Sequence, residues 1–357
     1  MSILQSETYI EDLKYAVETN DVFENLRSTN IFITGATGLI CSGVIDALLM
    51  ANNLKNLNIH IYAAVRDEEK AKKRFGDFPG GDISDNISFI KYDATKTNRL
   101  DFDADYIIHG ASNAHPKAFV DFPVDTMLSN IFGIRELLDY TKEKHIKRIM
   151  YISSSEVYGK KNNLGSFKED EYGFIDILNP RNAYASAKRA SETLCASYYK
   201  QYGVDYTIVR PGHIYGPTAS RTDSRVGSAF AYDAVEGKDI ILKSDGKQIR
   251  SYCYVLDCAT AIISVLANGK AGEAYNISNS NSIISIRELA ELYAREGGVN
   301  VKLDNPTMAE QAAFNPMNDS SLDSTKIEEL GWKGLFDSKT GTAHTIRILR
   351  QESSIYL

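Results

Sequence analysis

The sequence predicts an α/β fold: a Rossmann-type doubly wound parallel sheet with a smaller C-terminal α/β part that binds substrate. Three observations predict it. Short apolar strands alternate with helical stretches from Asn30 to Arg210. A glycine turn, Thr34-Gly35-Ala36-Thr37-Gly38, stands directly between the first strand and the helix that follows it. Past Pro211 the alternation loosens into polar loops with fewer helices.

Taken in order, residues 5–27 place Ile10, Leu13, Val17, Val22 and Leu26 at helical spacing and predict a helical lead-in. Strands are expected at 31–34, 58–65, 87–92, 106–109, 146–153 and 206–210, with helices at 39–49, 125–144 and 183–202. Helices at 226–236 and 285–295 belong to the smaller part, and 249–255 is expected to return as a strand joining the two. The resulting division is a helical extension (1–28), a dinucleotide-binding domain (29–212) and a substrate-binding domain (213–357), of which about 246–278 returns to the first domain. Parallel sheets of this kind bind ligands at the carboxyl ends of their strands.

A chain of 357 residues, 43% hydrophobic and 24% charged, suits two closely packed domains. The net charge of −7 without a basic run argues against nucleic acid or an anionic membrane surface as partner. No stretch approaches the roughly 20 apolar residues of a membrane span; the best, 38–51, is interrupted by Asp46. The N-terminal sequence MSILQSETYIEDL does not read as a signal peptide. The four cysteines form no CxxC pair and point to reduced thiols and a cytoplasmic location. The six histidines lack ligand spacing, so no metal site is expected.

Gly35 and Gly38 let the backbone turn tightly and approach a pyrophosphate, toward which the helix opening at Leu39 points its N–H groups and positive dipole end. The plainer alternative is an ordinary strand-to-helix turn. Cys41 stands where dinucleotide sites usually carry a third glycine, so a slightly wider helix–strand spacing is expected. The second strand ends Val65-Arg66-Asp67, with no acid at Val65 for the ribose hydroxyls of NAD. Arg66 suits the 2′-phosphate of NADP, which is favoured over NAD, although a solvated arginine is common there. Asp93, ending the third strand, is a candidate for the adenine end, or a plain loop aspartate.

Tyr184-Ala-Ser-Ala-Lys188 sets a phenol and an ammonium one helical turn apart on one face. The lysine and an oxidised nicotinamide ring would draw the phenol down from its usual value of about 10, making it a general base for a hydroxyl. Tyr92–Lys96 and Tyr140–Lys144 share the spacing, but Tyr92 falls at a strand end and Tyr140 at what reads as an exposed helix end. Tyr184 instead opens a helix about 30 residues after a serine cluster, Ser153-Ser154-Ser155-Glu156-Val157-Tyr158-Gly159, at the end of the fifth strand.

With that cluster, the chain resembles the extended short-chain dehydrogenase/reductases of the NAD-dependent epimerase/dehydratase family. The motifs TGATG, HGAS, Asn130-Ile-Phe-Gly133, SSSEVYG, YASAK, RPGHIYGP and IRSYCYV carry the resemblance from about Asn30 to Asn276. It implies Ser154 as catalytic hydroxyl, Tyr184 as base, Lys188 as its partner, and Ser153 and Ser155 as support, with Ser155 toward substrate. On the cofactor it implies Gly35, Thr37, Gly38, Leu39, Ile40, Arg66, Asp93, Ala94, Gly110, Ala111, Ser112, Asn130, Tyr184, Lys188 and Pro211. Dehydratases and decarboxylases of the family carry an acid at the place of Glu156, where simple 4-epimerases usually do not. Many dehydratases precede it with Asp; Ser155 here is closer to nucleotide-sugar decarboxylases and GDP-mannose-type dehydratases. A Glu that only braces its loop is the plainer reading.

On the substrate side, His213 stands where relatives often have Asn. The segments of Arg225 and Arg250 resemble those holding a nucleotide diphosphate, a role to which the arginine fork is suited; a solvated surface charge is the alternative for each. The resemblance implies oxidation of a nucleotide-sugar at C4 to a 4-keto intermediate, followed by loss of water or carbon dioxide. A 4-epimerase, a 4-ketoreductase and a non-catalytic nucleotide sensor are the rivals. The helices at 125–144 and 183–202 match those that pair relatives, so a homodimer is expected.

Overall fold

The computed structural model describes residues 2–112, 114, 120–161, 165–308, 311, 314–315 and 317–353. Seven strands form one parallel sheet: β1 (Asn30–Thr34), β2 (His60–Val65), β3 (Ile87–Lys91), β4 (Tyr106–His109), β5 (Arg148–Ile152), β6 (Tyr206–Pro211) and β10 (Glu273–Ile277). Their order across the sheet is β10-β6-β5-β4-β1-β2-β3. Chain order reverses beside β1, and the crevice opened there at the strand carboxyl ends is where such sheets bind ligands.

Helices cover both faces because the strands are apolar on both. On one face, α2 (Leu39–Lys55) packs with α1 (Glu7–Glu18) and α7 (Val255–Asn268) around Leu13, Val44, Leu48, Ile262 and Leu266. α3 (Glu68–Phe75) adds Ala71 and Phe75 to the same core. The opposite face is closed by α4 (Pro123–Lys144) and α5 (Ala183–Tyr202) over Phe32, Ile107, Leu137 and Cys195. Asp46, which interrupts the apolar run of α2, is fully buried. It accepts the Tyr9 hydroxyl (2.6 Å) and pairs with Arg74, a charge hidden with its partner.

Two sequence expectations change. The lead-in is α-helical only through Glu18, and Asp21–Leu26 is a tighter 3-10 helix. Strand β9 (Ile249–Tyr254) does not join the large sheet. It centres a second sheet with β7 (His213–Tyr215), β11 (Ile283–Ser285) and β13 (Asp319–Ser320), and the strand that rejoins the first sheet is β10, beside β6. β8 (Ile240–Leu242) and β12 (Val301–Leu303) pair separately. α6 (Val226–Val235), α8 (Ile286–Gly297), α9 (Thr325–Glu328) and α10 (Ser338–Ser353) complete the smaller part. No described helix is long and apolar enough to cross a membrane.

Candidate active site

The glycine turn is built as dinucleotide chemistry needs. Gly35 has φ +72°, and a Cβ there would come within 2.9 Å of the Gly110 backbone. Gly38 caps α2 without a side chain, so the free N–H groups of the first turn face outward past Thr37, Leu39 and Ile40. The Cys41 sulfur is housed against the bare Cα of Gly110, where any Cβ would collide with it. Room for this larger residue therefore comes from a glycine on the neighbouring strand end. Thr34 ties the same region together: its hydroxyl accepts the Gly110 and Ala111 N–H groups (both 3.2 Å) and meets His109 Nδ1 at 2.7 Å. With its proton given to Nδ1, the hydroxyl assigns the His109 proton to Nε2. Burial, with Lys188 nearby, lowers the His109 pKa to about 3, so the ring is neutral.

Ser112 donates to the Asn130 side chain (3.0 Å), which in turn donates to the Thr126 carbonyl (2.7 Å). Asn130 is fully buried and ties Ser112 to α4. Ala94 packs beside Gly133 of α4. Asp93 accepts both the N–H and hydroxyl of Thr95 (3.0 and 2.7 Å), which hold its carboxyl below the usual carboxylate range, with Lys96 and Arg66 adding to the effect. Arg66 is exposed just past the end of β2, while the next residue, Asp67, caps α3 through the Lys70 N–H (3.0 Å). Pro211 ends β6 and leads through Gly212 into β7. Glycine cradle, helix N-terminus and strand-end basic residue together fit a nicotinamide dinucleotide.

Tyr184 lies in the first turn of α5, 5% exposed, with Ser154 within hydrogen-bond reach. Ser154 caps the one-turn helix Ser155–Tyr158, accepting the Glu156 N–H at 3.2 Å. Burial pushes Tyr184 up to about 12. The Ser154 hydrogen bond and Arg225 work against that shift, and Glu156 works with it. Lys188 is buried, donates to the Ile152 carbonyl (2.8 Å) and lies 5.6 Å from the Tyr184 ring centre. Burial draws it down to about 7 despite the Glu192 carboxylate. The expected lowering of Tyr184 joins Lys188 with a bound, positively charged nicotinamide ring; in the protein alone burial is the largest effect on the phenol. Tyr140, which shares the spacing, is buried, with its hydroxyl on the Phe102 carbonyl; the reading of an exposed helix end is corrected.

Glu156 is anchored at both oxygens, by Arg181 Nη1 (3.0 Å) and Asn315 Nδ2 (3.0 Å). Its charge acts on both Tyr184 and Arg250. Sequence reasoning missed Arg181 and Asn315. The first stands three residues before Tyr184 and could have been weighed; the second has no local signal. Ser155 is buried beside Glu156.

The register of β7 on β9 sets His213 opposite Tyr252, two residues from Arg250 on the same strand face. Arg250 is 3% exposed and, among the described residues, donates to the carbonyls of Ile249 (2.8 Å), Met317 (2.9 Å) and Asn318 (3.5 Å). Among the described residues no carboxylate lies within ion-pair distance of it, and burial lowers its pKa. His213 Nδ1 is buried without a partner among the described residues, and burial, with Arg250 and Arg225, lowers its pKa to about 3. Arg225, by contrast, is already paired with Asp223. Thr218 donates to the Leu39 carbonyl (2.8 Å), tying this side to the glycine turn.

The profile of the NAD dependent epimerase/dehydratase family matches residues 31–278. UDP-glucuronic acid decarboxylase 1 of Xenopus tropicalis is 27% identical over 324 residues, 90% of this chain and 72% of that protein. The dTDP-D-glucose 4,6-dehydratase of Homo sapiens is 27% identical over 330 residues, 90% of each chain. In fold, the chain matches the dTDP-glucose 4,6-dehydratase DesIV of Streptomyces venezuelae with NAD bound (TM-score 0.75, 23% identity, 91% of this chain and 98% of that one). It also matches a UDP-N-acetylglucosamine 4-epimerase of Methanobrevibacter ruminantium M1 (TM-score 0.76, 22% identity, 91% and 99%). Sheet, glycine turn and profile agree, and the chain belongs to the NAD dependent epimerase/dehydratase family.

Proposed function

We propose that this chain is a nucleotide-sugar lyase, a dehydratase or decarboxylase, working through a 4-keto-sugar intermediate. The observation that carries the reading is Glu156: a carboxylate paired with Arg181 (3.0 Å) and within electrostatic reach of the base Tyr184. A 4-epimerase has no use for a second proton carrier there.

In this reading Tyr184 takes the C4-hydroxyl proton, with Ser154 sharing the hydrogen bond and Lys188 stabilising the phenolate. The nicotinamide group supplies hydride acceptance at C4 and hydride return. Glu156 moves the proton at C5, which the C4 ketone has acidified, as water leaves C6; with a C6 carboxylate, carbon dioxide leaves instead. Arg250, buried and without an ion-pair partner among the described residues, holds the diphosphate, with Arg225 at its edge and neutral His213 as a hydrogen-bond partner. Arg250→Met is expected to raise KM at least tenfold with a smaller change in kcat, measured by steady-state kinetics.

The second reading, a 4-epimerase, is favoured by Arg181 and Asn315 together occupying both Glu156 oxygens, as a purely structural acid would require. Mass spectrometry of products from UDP-glucuronate, UDP-glucose, dTDP-glucose, CDP-glucose and GDP-mannose separates the two. Loss of the mass of water or carbon dioxide without added reductant supports the lyase. An unchanged mass at a new retention time contradicts it.

The strand-end pattern of buried Val65, exposed Arg66 and committed Asp67 supports NADP over NAD. Arg66→Ala should weaken NADP binding by about tenfold, read by calorimetry, and leave NAD binding near wild type; equal effects on both would contradict the preference. Exposed Val124, Met127, Leu128 and Phe132 form one stripe along α4, beside α5, and support pairing with a second copy of this chain. Light scattering should give a dimer mass that Phe132→Asp reduces to the monomer; a wild-type monomer would contradict it. The four buried, unpaired cysteines fit a cytoplasmic location.

A further inference from the structure

Beneath the Tyr184–Lys188 pair lies a buried ion pair. Glu192 follows Lys188 by one turn of α5, on the same face. Its carboxylate takes both arms of the Arg210 fork, Nε at 3.0 Å and Nη2 at 2.7 Å. Arg210 is 2% exposed and stands at the end of β6, one residue before Pro211. Its remaining donors reach the Tyr158 hydroxyl (3.0 Å), the Glu169 carbonyl (2.7 Å) and the Tyr172 hydroxyl (3.0 Å). Tyr158 closes the one-turn helix that begins beside Ser154, and its hydroxyl donates to Asn276 of β10 (2.5 Å).

One pair thus joins three segments: the serine–glutamate turn, the helix of Tyr184 and Lys188, and the strand end leading to His213. A bolt of this kind could be built from apolar residues at no loss of stability, since burying two charges costs several kcal/mol that their attraction only roughly offsets. Its retention as an ion pair needs a reason that apolar packing does not supply.

We propose that Glu192, locked by Arg210, is the positioning residue that keeps Lys188 charged for catalysis. Lys188 donates to the Ile152 carbonyl (2.8 Å), and Glu192 is the carboxylate that acts on it. The groups facing it are Glu192 and Cys195 on its own helix, Cys41 on α2, neutral His109 at the end of β4, and the rings of Tyr151 and Tyr184. Of these, Glu192 is the largest contribution opposing the burial of the ammonium, and burial pushes both cysteine thiols well up, so they are uncharged. Arg210 fixes that carboxylate in place with both arms of its fork. Burial works against the Arg210 charge, yet Glu192 more than offsets it.

The inference rests on Tyr184 and Lys188 acting as proposed above. Its test is the pH profile of kcat/KM for the full-length, cofactor-loaded protein, for Glu192→Gln and for Glu192→Gln with Arg210→Met. The single change keeps the shape; the double change removes both buried charges, so no arginine is stranded. In each, the alkaline limb, where Lys188 loses its proton, should move down by about one pH unit, a tenfold loss of kcat/KM above it. An unmoved limb in a folded variant overturns the proposal and leaves the pair a structural bolt. If the single variant does not fold, the double variant decides. If the wild type turns over no nucleotide-sugar, the functional reading fails, and the pairing is decided without turnover by NMR titration of isotope-labelled lysine. The Lys188 signal is identified by its loss in Lys188→Met; a downward shift in the double variant supports the pairing and an unchanged titration overturns it.

Discussion

Tyr184→Phe is expected to lower kcat about a thousandfold, within the range that a positioned general base contributes. Only a hydroxyl is removed. The ring remains in its 5%-exposed seat at the start of α5, and no cavity opens. The loss of the Ser154 hydrogen bond should change stability by only about 1 kcal/mol. Binding of cofactor and nucleotide-sugar should stay within a few-fold, because the glycine turn and Arg250 lie on other elements. Because burial pushes Tyr184 up to about 12, the phenol is neutral at pH 7 before ligands bind. Activity should therefore rise with pH in the acid limb, as the bound cofactor's positive ring and the Lys188 ammonium lower that barrier. Steady-state kinetics with a melting curve reads all of this. A variant that keeps wild-type kcat would move the base elsewhere and revive a nucleotide-sensing role.

The second large effect is on Glu156. Glu156→Gln should leave oxidation at C4 in place and slow the step at C5 by about a hundredfold to ten-thousandfold. The bound nicotinamide should then accumulate in its reduced form, visible by absorbance, while release of water or carbon dioxide falls. The amide keeps the size of the acid but cannot neutralise Arg181, so the melting temperature should drop as well. Reading cofactor absorbance and product together separates chemistry from stability. Unchanged product formation would reduce Glu156 to a brace for its turn and favour the epimerase.

Much of this was visible in the sequence because the signals are local. The strands of the large sheet are short apolar runs, and the glycine turn marks its own strand and helix. Tyr184 and Lys188 sit one turn apart, and the helix predicted at 183–202 is the helix observed. What stayed hidden depends on distant partners. A strand such as Ile249–Tyr254 carries no mark of which sheet it joins; its neighbours are decided by residues 213–215, 283–285 and 319–320. Asn315 reaches Glu156 across 159 positions, and Arg210 reaches Glu192 across 18. Tyr140 was misjudged because its acceptor is a carbonyl 38 residues away, which no helical pattern reveals. The burial that raises Tyr184 was hidden too, because spacing shows a neighbouring charge and says nothing of desolvation.

The central claim is that the chain oxidises C4 and carries the hydride onward. The direct measurement is to follow deuterium placed at C4 of the turned-over nucleotide-sugar, using NMR of the product. The lyase account predicts that the label leaves C4 for the bound cofactor and reappears in the product, at C6 after loss of water or back at C4 after loss of carbon dioxide. Product formed with no deuterium isotope effect and with the label never appearing on the cofactor would contradict it.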